Sequence, residues 1–110
     1  IDMFDADFFS AMKSTAYFIN IGRGKSVVTS DLTAALQAGE IAGAGLDVVE
    51  PEPLPAEHEL WQLPRVIITP HVAARSAITA ERITALTLEN VRRYMNGDPL
   101  LNVVDVKRGY

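Results

Sequence analysis

Apolar residues fall into short unbroken runs separated by stretches of helical spacing, which predicts strands and helices in turn. Phe8, Phe9 and Met12 share a helical face, so Asp5 to Lys13 reads as a short helix. The run Ala16-Tyr17-Phe18-Ile19-Asn20 is apolar without alternation, the pattern of a parallel strand covered on both faces. Gly22 and Gly24 interrupt it. Thr29 or Ser30 then caps a helix running to Ala38, with Asp31 at its positive end and Gly39 as its stop. Ala42 to Val49 is a second buried strand whose small residues allow close backbone approach. Val66 to Thr69 is a third, β-branched and ended by Pro70. Ser76 caps a long helix that reaches Asn96 and stops at Gly97. Ile83 with Leu86 forms one apolar stripe on it, and Leu88, Val91 and Met95 another. So much apolar circumference predicts burial against more than one neighbour. The tail from Leu100 to Val104 is apolar enough to dock.

Strand, helix and strand joined by short links make an α/β chain with a parallel sheet and right-handed crossovers. Composition adds bounds. The 110 residues, 48% hydrophobic, suffice for one domain with a modest core. The net charge of −4 is spread, and no basic cluster exceeds Arg92-Arg93, which argues against a nucleic-acid partner. The absence of cysteine removes disulfides and thiolate zinc sites and fits a reducing, cytoplasmic setting. No apolar run has membrane-spanning length, and the N-terminus lacks the basic start of a signal peptide. Ile1 stands where an initiator Met would be, so the chain reads as a cut piece or a processed product.

Ligands of parallel sheets sit beyond the carboxyl ends of the strands, and there the chemistry-bearing residues collect. Arg23 lies between Gly22 and Gly24 after the first strand, and glycine on both sides lets the backbone turn and leaves room beside the guanidinium. A guanidinium there can grip a carboxylate with both prongs and polarise an adjacent carbonyl. Asp47 ends the second strand, placed either to accept hydrogen bonds from a carboxamide or to cap a turn. His71 follows Thr69-Pro70 and suits a general acid. Glu50 and Glu52 are both placed to hold its imidazolium, and spacing does not separate them. Asn20 is placed to orient backbone at the first strand's end, His58 to face solvent, and Trp61 to anchor the proline-rich loop. No His and carboxylate set has metal-ligand spacing, and no Gly-x-Ser-x-Gly elbow occurs.

Read in order, Asn20-Ile21-Gly22-Arg23-Gly24, Gly43-Ala44-Gly45-Leu46-Asp47-Val48, Glu52-Pro53 and Thr69-Pro70-His71 resemble the D-isomer-specific 2-hydroxyacid dehydrogenases over nearly the whole chain. The stretch around Leu60-Trp61-Gln62, together with His71-Val72-Ala73-Ala74 and Arg108-Gly109-Tyr110, is most similar to the bacterial glyoxylate/hydroxypyruvate reductases. The resemblance implies the C-terminal half of a Rossmann-like dinucleotide-binding domain over residues 1–97, then a tail over 98–110. It implies that Arg23 binds the 2-oxo acid, that Glu52 (not Glu50) supports His71 as acid/base, and that Asp47 meets the nicotinamide carboxamide. Ile21 and Gly22, with Ala73 and Ala74, would line the nicotinamide pocket beside Arg23 and His71. The cofactor would be NAD or NADP, the partner a small 2-oxo or 2-hydroxy acid, and the assembly a homodimer.

The chain contains no Gly-x-Gly-x-x-Gly turn. The resemblance also leaves a separate substrate-binding domain unaccounted for. The expectation is therefore a fragment, inactive alone, of an oxidoreductase transferring hydride to a small 2-oxo acid. A dinucleotide-sensing, corepressor-like protein and a self-associating, non-catalytic fragment are the alternatives.

Overall fold

Three parallel strands organise the first part of the chain, as seen in a computed structural model that describes residues 1–109. β1 (Tyr17–Asn20), β2 (Gly43–Leu46) and β3 (Val66–Ile68) lie side by side in that order. Asn20 pairs with Leu46 and Leu46 with Ile68, so the carboxyl ends are level. α1 (Ala6–Ser10) precedes β1, α2 (Thr29–Ala38) joins β1 to β2, and short 3-10 turns occur at Gly24–Ser26 and Glu59–Gln62. α3 (Ala77–Asn96) follows the sheet. The chain divides into two compact units, Ile1–Ala73 and the remainder from Ala74. The division falls ahead of the long helix.

In the first unit the core gathers between one face of the sheet and the helices. Phe9, Phe18, Val27, Leu32, Ile41, Leu46 and Leu60 are buried in it. Phe4, Phe8, Phe9 and Phe18 meet edge-to-face with ring centroids 4.7 to 6.2 Å apart, a geometry that aligns positive ring edges with negative faces. Asp5 caps α1 by accepting the Phe8 N–H at 3.0 Å.

α2 starts at Thr29, ahead of the expected cap at Thr29 or Ser30: Val28 is its N-cap and no side chain caps it. The Thr29 hydroxyl instead donates to the Glu50 carbonyl at 2.6 Å, tying the helix start to the loop after β2. Asp31 accepts the Ala6 N–H at 3.0 Å, and Gly39 ends the helix with φ of 73°.

β1 departs from the expected cover on both faces. Phe18 and Asn20 are buried, whereas Tyr17 and Ile19 are exposed, Ile19 to 63%. Ile67, in register with Gly45 and Ile19, shares that exposed face. An apolar run records that a strand can be covered twice, not that both covers are present.

Gly24, expected to let the backbone turn beside Arg23, does so without a positive φ. It is buried, and a Cβ there would overlap the Val49 carbonyl, so the missing side chain lets the Arg23 loop lie on the backbone after β2. The small-residue character of β2 does reflect close approach, because a Cβ on Gly43 would overlap the Arg65 carbonyl.

In the second unit Ser76 caps α3 by accepting the Thr79 N–H at 3.2 Å, and Gly97 ends it with φ of 73°. Glu89 accepts from Arg92 at 2.8 and 3.0 Å and from Arg93 at 2.7 Å. Those bonds, Arg92 first, hold the Glu89 carboxyl down at about 2. No residue of α3 is buried, contrary to the burial its stripes predicted; Ile83, Leu88, Val91, Tyr94 and Met95 are all exposed. The tail is held by polar bonds rather than by its apolar side chains. Asn90 exchanges both its amide groups with the Leu101 backbone at 2.8 and 3.2 Å, while Val103 and Val104 stay exposed.

Gly24→Ala tests the close approach. Overlap with a carbonyl that is part of a packed loop should destabilise the protein by about 1–3 kcal/mol, read as a lowered urea midpoint. An unchanged midpoint would mean that the two loops can separate freely.

Candidate active site

Every candidate residue of the first unit lies beyond the carboxyl edge of the sheet. Arg23 follows β1 in extended conformation, one residue before the Gly24–Ser26 turn. Its guanidinium Nη1 donates to the Gly22 carbonyl at 2.9 Å, and the residue is exposed. Behind it Asn20 is 7% exposed and bridges the loop, with Oδ1 accepting the Gly22 N–H at 3.0 Å and Nδ2 donating to the Arg23 carbonyl at 3.1 Å.

Asp47, 6% exposed, follows β2 directly. Oδ1 accepts from the Thr69 hydroxyl at 2.6 Å and the Val72 N–H at 2.8 Å, and Oδ2 accepts from the Ala73 N–H at 2.7 Å. The Thr69 bond is the strongest cause lowering the Asp47 carboxyl below its ordinary value, with Ala73, Val72 and the nearby His71 adding to it against the cost of burial. The turn-capping alternative for this residue is therefore realised in full. A carboxylate offers about four acceptor positions, so three bonds leave room for another donor.

The clasped loop carries His71. The His71 N–H donates to the Asp47 and Thr69 carbonyls, each at 3.0 Å, and its φ is +53°. Left-handed backbone is costly for a residue with a Cβ and persists where surrounding bonds enforce it. Its Nδ1 lies 2.8 Å from Glu52 Oε1, with both side chains roughly half exposed. That contact separates the two glutamates that spacing left equivalent. Glu52 is the partner, while Glu50 contributes its backbone carbonyl to Thr29.

These residues sort into two hollows. One, of about 350 Å³, is lined by Arg23, Lys25, Val49, Glu52 and His71. Another, of about 340 Å³, is lined by Ile21, Gly45, Asp47, Val72 and Ala73. Gly22 sits between Ile21 and Arg23 and is exposed; Ala74 opens the second unit. A third hollow of about 410 Å³ lies on the other side of the His71–Glu52 pair, with Trp61 and Pro70 on its rim. Trp61 is 46% exposed and donates Nε1 to the Pro55 carbonyl at 2.9 Å. The anchor beneath that loop is Leu60, not Trp61. His58 is half-buried, and its Nδ1 accepts the Leu60 N–H at 3.2 Å. Among the described residues no group of three His, Asp or Glu is placed to hold a metal ion.

Residues 1–73 match the family model described as D-isomer specific 2-hydroxyacid dehydrogenase, NAD binding domain. The chain belongs to this family. The match ends where the first compact unit ends. Among curated members, the glyoxylate/hydroxypyruvate reductase A of Photorhabdus laumondii is 48% identical over 93% of this chain and 32% of its own length. The human glyoxylate reductase/hydroxypyruvate reductase is 45% identical over 86% of this chain and 29% of its own length. The chain thus spans about a third of the length of the curated relatives it matches.

Solved members agree. A Xanthobacter autotrophicus D-isomer specific 2-hydroxyacid dehydrogenase in complex with NADPH superposes with a TM-score of 0.86 at 41% identity, over 98% of this chain and 44% of that one. A Lactobacillus jensenii D-lactate dehydrogenase with NAD+ gives 0.85 at 32% identity, over 94% and 35%. The parallel sheet with flanking helices is accordingly the C-terminal part of a Rossmann-like dehydrogenase domain.

Sequence patterns missed the left-handed backbone of His71, which leaves no sequence signal in a histidine. Asn20 does orient backbone at the end of β1, as its place in the sequence suggested: it precedes a glycine by two residues, an Asx-type turn signature.

The carboxylate of Asp47 gives a pH prediction. Its folded value is lowered, so its stabilisation is complete above the ordinary value of 3.8 and is lost as pH falls through the lower folded value. The urea midpoint should drop across that acid window. Asp47→Asn should start lower at neutral pH and drop less in acid. Parallel acid slopes in the two proteins would rule out this carboxylate as a source of the effect.

Proposed function

We propose that the protein carrying this chain reduces a small 2-oxo acid, glyoxylate or hydroxypyruvate, to the 2-hydroxy acid with NADH or NADPH. The observation that carries the reading is the 2.8 Å contact of His71 with Glu52 in the hollow that also holds Arg23. The printed activities of the Photorhabdus and human relatives supply the substrate class.

In this reading Arg23 releases its loop carbonyl and forks onto the substrate carboxylate, with a remaining N–H on the neighbouring carbonyl. His71 has Nδ1 engaged by Glu52, so Nε2 is the nitrogen that gives a proton to the carbonyl oxygen. Glu52 accepts the Nδ1 hydrogen bond and holds the ring's direction. When bound, the nicotinamide supplies the hydride that arrives at the carbonyl carbon. The hollow of Ile21, Gly45, Asp47 and Ala73 fits its flat ring, with apolar walls and a carboxylate that retains an acceptor position for a carboxamide.

Two further parts of the reading concern the whole molecule. The exposed Ile83, Leu88, Val91 and Tyr94 of α3 support a homodimer or a covering domain. Use of a soluble nicotinamide cofactor supports a cytoplasmic site.

Arg23→Ala in the full-length protein should raise KM for glyoxylate by roughly ten- to a hundredfold. His71→Ala should lower kcat by about a hundredfold or more while changing KM little. Steady-state kinetics with glyoxylate and either reduced cofactor checks both. If the wild-type protein oxidised neither NADH nor NADPH with glyoxylate or hydroxypyruvate, the proposal would be wrong.

A further inference from the structure

The carboxamide of Asn20 meets two opposite demands within one loop. Oδ1 accepts the N–H of the peptide before Gly22, and Nδ2 donates to the carbonyl of the peptide after Arg23. These two peptide groups flank the Gly22–Arg23 peptide on either side. The carbonyl of that middle peptide holds the Arg23 guanidinium. Pinning both neighbours fixes the direction of the middle one, and with it the path on which the guanidinium leaves the loop.

The residue is anchored as firmly as it anchors. Asn20 is buried, and its own carbonyl accepts the Asp47 N–H at 2.9 Å. The loop is therefore referenced to β2 rather than hanging from β1 alone. A carboxylate of the same shape would keep the bond to Gly22 but turn an oxygen towards the Arg23 carbonyl. An apolar side chain would leave the Gly22 N–H and the Arg23 carbonyl without these partners, and the loop free to turn.

We propose that Asn20 is a positioning residue for substrate recognition, acting through Arg23 by setting its backbone and guanidinium direction. This rests on Arg23 binding the substrate carboxylate, as argued above. Asn20 touches neither substrate nor cofactor. Its influence should appear in use of the 2-oxo acid, leaving the cofactor and the proton donor as they are.

The test is a double-mutant cycle in the full-length protein, comparing wild type, Asn20→Asp, Arg23→Ala and the double variant with glyoxylate at saturating reduced cofactor. Asn20→Asp should lower kcat/KM for glyoxylate about tenfold, mainly through KM. KM for the cofactor and the pH profile of kcat should stay within twofold of wild type. In the Arg23→Ala background the same change should cost little more.

Equal losses in both backgrounds, a parallel rise in cofactor KM, or undiminished kcat/KM would each overturn the proposal. Full activity in Arg23→Ala alone would remove its premise and the substrate-binding assignment with it, whereas loss there with no effect of Asn20→Asp would sink only the positioning role. If Asn20→Asp does not fold, Asn20→Ser keeps an uncharged hydrogen-bonding group. It should show a smaller loss that also vanishes without Arg23, and a loss that persists would count against the proposal.

Discussion

The carboxylate of Asp47 is the interaction on which the site depends. A charged group buried at the end of the middle strand is unfavourable unless donors surround it. Thr69, Val72 and Ala73 provide them, all from the segment after β3. Satisfying the carboxylate therefore folds that segment back over the strand ends. His71 lies at the bend, with its left-handed backbone held by bonds to the carbonyls of Asp47 and Thr69. The charge-assisted bonds to Asp47 offset the conformational cost of His71. From that bend the imidazole reaches Glu52, 2.8 Å away.

The arginine side of the site uses the same device with a neutral group. Asn20 ends β1 as Asp47 follows β2, and each buried polar side chain holds the loop that carries an exposed reactive one. The two are joined through the Asn20 carbonyl and the Asp47 N–H. Gly24 adds a steric term by letting the arginine loop rest on the backbone of Val49, from which the Glu52 loop departs. Arg23, Glu52 and His71 thus share one hollow although they come from three different strand ends. Parallel strands with level carboxyl ends make that convergence possible, since every loop leaves the sheet on the same side.

The residues that touch ligand in the proposed reaction were readable from sequence because their chemistry is carried by residue type and short spacing. Arg between glycines, Thr-Pro-His and the Asp after Leu46 needed no knowledge of distant contacts. The stops of the two longer helices were also readable, since Gly39 and Gly97 are left-handed ends that the pattern marks directly. What the pattern could not show depends on contacts between segments far apart in the chain. Glu50 and Glu52 differ by which one reaches a histidine 19 residues away. Gly24 was read as freeing a turn and space for a ligand, and is a packing contact with Val49, 25 positions distant. Tyr17, Ile19 and the stripes of α3 announced apolar cover, and hydrophobicity cannot say whether that cover lies within these residues.

Exposure and burial divide the work of the site. Arg23, Glu52 and His71 are left partly in water, where the charged acid of the proposed reaction could reach them. Asn20 and Asp47, which the proposed reaction does not bring to the substrate carboxylate, are the buried members. Hydrogen bonds in a dry setting are directional and costly to break, so the frame behind the reactive groups is stiff. Groups in water are cheap to reorient, so Arg23 can exchange its bond to Gly22 for one to a ligand. Reversing the arrangement would bury three ionisable side chains before substrate arrived and leave their supports loose. The observed order keeps the ionisation cost low and places the rigidity one layer back, where it fixes direction without occupying the space a substrate must enter.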